Sequence, residues 1–216
     1  LVDRADIFVQ AFRAGVIDEL GFGYEEIRQS HPGMVYASVT GYGSRGPLRE
    51  RPGYDPLIQA YTGIMSLTGY PEGDPARIGG SVVDVGTGIV TALGILAALQ
   101  EKERTGEGTH VESSLLATSL GWVSYHIQGY LASGVVPGRM GTGISMIAPY
   151  EAFQTRDGEL MISAGHDGIF ERLCEALKLK ELKDDERFMT NPLRVANRTE
   201  LHRLIEEHTR NGFVMK

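Results

Sequence analysis

Asp6-Ile-Phe-Val-Gln-Ala11 and Met34-Val-Tyr-Ala-Ser-Val39 are short apolar runs separated by two helical segments, Val16 to Leu20 and Tyr24 to Ser30. Strand, helix and strand joined by short links predict a βαβ unit. Such a unit implies a parallel sheet and an α/β fold, because a long crossover is what returns a strand in the same direction. Gly41, Gly43, Gly46, Pro47, Pro52 and Gly53 then punctuate a loop leaving the second strand. It lies at the carboxyl end of the sheet, where open α/β folds place ligands.

Beyond this unit a helix is expected from Asp55 to Leu67, then the turn Tyr70-Pro-Glu-Gly-Asp-Pro75 and an extended run from Arg77 to Asp84. There the period changes. Val85, Ile89, Leu93, Leu96 and Leu99 recur every three or four residues with Ala and Gly between them, which predicts a helix buried on most sides. Glu101-Lys-Glu-Arg104 and Gly106 to Gly108 supply its stop. Leu116, Leu120, Val123, Ile127 and Leu131 predict a second long helix ending at Gly134. The aperiodic stretch from Pro137 to Pro149 reads as a glycine-rich linker. After it come a hairpin turning at Arg156-Asp-Gly158 and helices from Ile169 to Leu177 and from Thr199 to His208. The expected domains are a large one over residues 1–149 and a small α+β one over 150–216.

Composition limits the function. The chain has 216 residues, 42% of them apolar, and 21 basic against 28 acidic side chains leave a net charge of −7. That balance argues against nucleic acid as a partner, since phosphate-backbone affinity needs clustered positive charge. Cys174 is the single cysteine, so an internal disulfide or thiolate zinc site is excluded and a reducing compartment is expected, the cytoplasm or a mitochondrial matrix. Polar residues interrupt the apolar stretches before the roughly 20 residues of a membrane span, so no membrane association is expected. Opening on Leu1 and running at once into a strand, the chain reads as a fragment.

Asp84 is the leading chemical candidate. It follows Gly79-Gly80, precedes Gly86 and Gly88, and stands at the mouth of the apolar helix. One reading makes it the N-cap, worth about 1 kcal/mol. In the other, glycines clear space around a nucleophilic carboxylate, and exposed backbone amides at the same glycines form an oxyanion hole worth on the order of 3 kcal/mol per donor. The six histidines, at 31, 110, 126, 166, 202 and 208, show no metal spacing; His166-Asp-Gly168 reads as turn and cap chemistry. Cys174, beside Leu173 and Leu177, reads as a core thiol, and Ser113-Ser114 lacks the glycine-flanked elbow of hydrolases. Gly138, Gly141 and Gly143 lack both the Walker lysine and the dinucleotide pattern, which leaves a hinge.

Several motifs in order resemble a class III CoA-transferase: Thr40-Gly-Tyr-Gly-Ser-Arg-Gly-Pro47, Arg51-Pro-Gly-Tyr-Asp-Pro-Leu-Ile-Gln-Ala60, Val82-Val-Asp84 with Gly86-Thr-Gly88, Gly94 to Leu99 and Arg104-Thr-Gly-Glu-Gly108. The likeness continues through Ala148 to Phe153, Asp157-Gly158 and Asn191 to Arg198. It implies a Rossmann-like large domain, a smaller domain and a homodimer of interlocked chains. It also implies CoA thioesters as substrates, with no tightly bound cofactor and no metal, and a catalytic aspartate at Asp84 that passes through an acyl anhydride and an aspartyl-CoA thioester. CoA-binding positions fall on Phe12, on Arg13 as a phosphate partner, and on Tyr54. Gly141 and Gly143 match a loop that closes over the intermediate. Ala11, often asparagine in the family, and Glu19, near where many members are basic, depart from the pattern.

The resemblance also implies that an opening segment and a return to the large domain lie outside this sequence, and that Asn211-Gly-Phe-Val-Met-Lys216 departs from the expected continuation. Two alternatives stand beside the transferase. A 2-methylacyl-CoA racemase shares the fold but carries histidine before the aspartate that aligns with Asp55, where this chain has Tyr54. A non-catalytic fragment would only pack against a partner chain.

Overall fold

The computed structural model describes residues 1–212, and the last four residues of the unusual tail lie outside them. The chain forms two compact units, one of residues 1–68 and 75–137, the other of 69–74 and 138–212.

In the first unit β1 (Ile7–Gln10), β2 (Val35–Thr40) and β3 (His110–Ser114) form a three-stranded sheet in the order β1-β2-β3. Both pairings are parallel, with Val9 opposite Ala37 and Val39 opposite Ser113, so the α/β expectation holds. β3 is an addition to the sequence reading. His110-Val-Glu-Ser-Ser114 is too short and polar to register as a strand alone, and pairing against the buried β2 decides it. The crossover between β1 and β2 contains α1 (Val16–Glu19) and α2 (Tyr24–Ser30). From α2, Tyr24 stacks on His110 at 4.4 Å, and the Tyr36 hydroxyl donates to the Phe22 carbonyl at 2.8 Å. This covers the face carrying Tyr36, Ser38 and His110.

After β2 the Asp55–Leu67 helix is observed as two pieces, α3 (Asp55–Tyr61) and α4 (Ile64–Leu67), because Gly63 at φ +84° breaks the run. Next come α5 (Val82–Thr105) and, beyond β3, α6 (Leu115–Trp122) and α7 (Ser124–Ser133). The single helix expected from Leu116 to Leu131 therefore divides at Val123, a buried residue packed with Ile58, Ile64, Val83 and Leu115. α5 lies on the other sheet face. Thr91 Oγ1 is 2.7 Å from Ser113 Oγ, and a β-carbon at Gly94 would stand 2.7 Å from Val111 Cγ1.

The expectation that α5 is buried on most sides is corrected. Val85, Ile89, Leu93 and Leu96 are each about 60% exposed, because the sheet covers only the Thr87, Thr91 and Ala98 side. α5 is also long and apolar enough to cross a membrane by length and composition alone, which the reading of interrupted apolar stretches did not anticipate.

The second unit contains β4 (Tyr150–Gln154) and β5 (Glu159–Ser163), the antiparallel hairpin expected around Asp157-Gly158. α8 (Asp167–Ala176), α9 (Lys180–Lys183), α10 (Asn191–Ala196) and α11 (Arg198–Gly212) follow. Phe153, Phe170, Phe188, Leu201 and Ile205 form its core around a fully buried Arg194. That guanidinium donates to the Ala148 and Phe188 carbonyls and to Asp167 Oδ1, and lies 4.4 Å from the Phe170 ring centroid. The units part at Pro137, not at Pro149, because Arg198 Nη2 donates to the Ile144 and Ile147 carbonyls and ties the intervening stretch to the second unit.

Candidate active site

The direction of α5 places Asp84. Only Gly106 to Thr109 separates the helix from β3, so α5 runs back antiparallel to that strand. Its start reaches past Ser114, toward the carboxyl end of the sheet. Thr91 sits level with Ser113, and seven residues earlier at 1.5 Å per residue Asp84 stands about 10 Å further out. The β1–α1 loop with Phe12 and Arg13 leaves the same end of the sheet, as does the glycine loop after β2. This is the edge where an open parallel sheet leaves a crevice for a ligand.

Asp84 is not the N-cap. Ser81 holds that place, and Asp84 is the third residue of the first turn, with its side chain exposed. Partial burial first, and then the negative charge of Asp55, hold its carboxyl above the usual carboxylate range. Two of the first-turn amides are already engaged. Val83 N–H and Asp84 N–H donate to Asp55 Oδ2 at 2.7 and 3.3 Å. The glycines around Asp84 divide in role. A β-carbon at Gly86 would clash with the Trp122 ring, so Gly86 serves helix packing, whereas Gly79, Gly80 and Gly88 border open space.

Tyr54 is the N-cap residue of α3 and is 66% exposed, so it is not a packing tyrosine. Its neighbour Asp55 brings it to the mouth of α5. Phe12 is half exposed, with its N–H donated to Gln10 Oε1 at 2.8 Å; the Arg13, Glu19 and Ala11 side chains are exposed too. Beside them opens a polar cavity of about 190 Å³ lined by Gln10, Gly15, Ser38, Thr40, His110 and Glu112. Gln10 Nε2 donates to Ser38 Oγ, which is 2.9 Å from His110 Nε2. Burial pushes the His110 imidazole below its ordinary value despite the pull of Glu112.

Gly141 and Gly143 belong to the other unit. Their segment is held down: Gly141 N–H donates to the Gly69 carbonyl at 2.9 Å, and Arg139 donates to the Tyr70, Pro71 and Gly73 carbonyls. Gly141 has φ +61°, and a β-carbon there would meet the Tyr70 ring at 2.7 Å, so glycine is required on two counts.

Among the described residues no group of three or more His, Cys, Asp or Glu side chains is arranged to hold a metal. Ser114 caps α6 through the Ala117 amide, and Cys174 is buried with its thiol pushed up to about 11 by that burial, an inert core thiol. The sequence reading missed Asp55 and Gln59, both buried and joined by a 2.6 Å bond. Their i, i+4 spacing at the head of a helix was the available signal.

Comparison with known proteins identifies the family. The model of CoA-transferase family III matches residues 1–213. An acetyl-CoA:oxalate CoA-transferase of Acetobacter aceti is 39% identical over 208 residues, 96% of this chain and 54% of its own length. A succinate–glutarate CoA-transferase of Agrobacterium fabrum is 39% identical, with 97% of this chain and 52% of its own length covered. The crystal structure of a CAIB/BAIF family protein from Brucella suis superposes with a TM-score of 0.78 at 42% identity, covering 97% of this chain and 55% of that one. The chain thus spans about half the length of the relatives it matches. With motifs, sheet and family model in agreement, this chain belongs to CoA-transferase family III.

Proposed function

We propose that the protein of which this chain is a part moves CoA from an acyl-CoA thioester to a carboxylic acid, with Asp84 as the nucleophile. The observation that carries the reading is the exposed Asp84 carboxylate at the carboxyl edge of a parallel sheet, held above its ordinary pKa. Its oxygen attacks the thioester carbonyl, the C–S bond breaks and CoA leaves as a thiolate, giving a mixed anhydride on Asp84. The thiolate then attacks the Asp84 carbonyl, which releases the donor acid as its carboxylate and leaves an aspartyl-CoA thioester. The acceptor carboxylate repeats the sequence in reverse, and Asp84 is regenerated. Proton and electron balance close without a further reactant, because one thioester is exchanged for another.

Phe12 and Tyr54 would hold CoA by apolar and stacking contact and Arg13 by bidentate recognition of phosphate, beside the cavity below the β1–α1 loop. Glu19, exposed near where the resemblance expects a basic side chain, supplies no phosphate contact of its own. The named acceptors of two relatives, oxalate and glutarate, support small dicarboxylic acids as the substrate class. Tyr54, standing where the racemase relative has histidine, favours exchange over proton transfer.

A homodimer with a Rossmann-like completion of the sheet is part of the proposal. The exposed α5 side chains Val85, Ile89, Leu93 and Leu96 support a further covering surface, since a patch of that kind marks an interface. A buried single cysteine supports a reducing compartment such as the cytoplasm.

The test is an exchange assay of labelled acyl-CoA against a panel of dicarboxylates, using the wild type and Asp84→Ala. Wild-type exchange that disappears in the variant supports the reading. An Ala variant with full activity ends it, and deuterium wash-in at the α-carbon without exchange of acid partner would favour the racemase chemistry instead.

A further inference from the structure

A helix leaves its first four amides without partners inside the helix, and a side chain at the cap normally takes one or two of them. At α5 the cap residue Ser81 makes no side-chain bond to them. A carboxylate from 28 residues upstream does so instead. Asp55 Oδ2 accepts from Val83 N–H at 2.7 Å and from Asp84 N–H at 3.3 Å, while Oδ1 accepts from Gln59 Nε2 at 2.6 Å. Gln59 Oε1 in turn accepts from Ile78 N–H at 2.9 Å, so the segment entering α5 is anchored by the same pair. Asp55 is 2% exposed and Gln59 fully buried. Every contact to the Asp55 carboxylate is accepted and none donated, the pattern of an ionised group.

We propose that Asp55 is a positioning residue for Asp84: its buried carboxylate ties the Asp84 main chain to the head of α3 and withholds the helix amides from the Asp84 side chain. This rests on reading Asp84 as the nucleophile and assigns that reading a second residue. Two effects follow. The Asp84 backbone is fixed from its own N–H, which matters because a misplacement of 1 Å costs on the order of 100-fold in rate. First-turn amides stabilise anionic oxygen and would blunt a carboxylate nucleophile; here Asp55 occupies two of them. The Asp55 charge also opposes charge on Asp84, and that repulsion is relieved as the Asp84 oxygen forms its bond to the acyl carbon.

The experiment uses Asp55→Asn in the full-length protein that contains this chain, an isosteric change that keeps an acceptor and removes the charge. Two readouts are followed: titration of the Asp84 carboxyl carbon by NMR, and steady-state exchange. The titration midpoint is expected to fall toward the ordinary carboxylate range, and kcat to drop about 10- to 100-fold, with KM for acyl-CoA changing less than about threefold. Asp55→Glu, which restores the charge, is expected to recover part of both. A folded Asp55→Asn protein with wild-type Asp84 titration and wild-type kcat overturns the proposal, since a purely structural role would leave that titration in place.

Should Asp55→Asn fail to fold, Gln59→Met keeps the Asp55 carboxylate and removes both its Oδ1 donor and the acceptor of Ile78 N–H. It is then expected to speed hydrogen exchange at the Val83 and Asp84 amides and lower kcat by about tenfold. Unchanged amide exchange and rate in that variant overturn the proposal as well. The titration and amide readouts need no turnover, so they judge Asp55 separately. Failure of the nucleophile reading would appear instead as undiminished exchange in Asp84→Asn.

Discussion

At Asp84 two local effects act in the same direction, since partial burial and the charge of Asp55 both favour the protonated carboxyl. Between its unfolded and raised folded pKa values the native state binds the extra proton, so stability falls as pH rises through that window. The ionised Asp84 carboxylate therefore costs the fold stability at neutral pH. Asp84→Asn is predicted to raise the urea midpoint at pH 7, and the difference should vanish at pH values below the ordinary carboxylate range, where both states are neutral. The same variant should lose at least about 1,000-fold in exchange rate, the scale of removing a covalent nucleophile. In the proposed mechanism only the ionised form attacks, so wild-type exchange should fall as pH drops through the raised pKa of Asp84, as a pH–rate profile would record. Cys174 gives a contrasting residue-scale prediction. Buried, with its thiol pushed up to about 11, it should resist a thiol reagent at pH 7.5 in the native chain and react stoichiometrically once unfolded.

Among the elements, α5 unites most of the argument. Its Gly86 admits the Trp122 ring and its Gly94 admits Val111, so the helix approaches α6 and β3 more closely than any larger residue would permit. Gly86→Ala is predicted to destabilise the fold by about 1 to 3 kcal/mol through overpacking, with a shift in Trp122 fluorescence, both measurable in one urea titration. In the second unit the corresponding element is α10, whose Arg194 satisfies the Ala148 and Phe188 carbonyls. Arg194→Met strands both acceptors in the core and should cost about 3 kcal/mol, read from chemical denaturation. The Arg194 bond also holds Asp167 below its ordinary pKa. This contributes stability that is present above the usual carboxylate range and is lost as pH falls through the lowered value.

How far the elements were legible depended on whether their signal was local. The hairpin at Arg156-Asp-Gly158 and the strands beginning at Ile7 and Val35 rest on turn chemistry and apolar runs within a few residues, and they stand as read. β3 depends on its partner β2, and the break at Gly63 depends on a backbone conformation, so a periodic pattern carried straight through it. The α5 pattern revealed a helix but not how much of it this chain covers. Asp84 stood out through glycines and motif order. Asp55 did not, because its role arises from bonds spanning 28 and 29 residues of sequence.

For the molecule as a whole, the two units have separate cores, one around Ile58, Val83 and Leu115 and the other around Phe153, Phe170 and Phe188. The exposed apolar side of α5 belongs to the first. Light scattering on a size-exclusion column should give a dimer mass, and Leu93→Glu, on that exposed side, should shift it toward monomer if the α5 surface carries the association. A monomer mass for the wild type would remove the dimer from the account. The central claim is covalent. Incubation with an acyl-CoA followed by hydroxylamine, then peptide mass spectrometry, should find a hydroxamate on Asp84 and on no other carboxylate. An unmodified Asp84 under conditions of active exchange, or a hydroxamate mapped to a different residue, would contradict it.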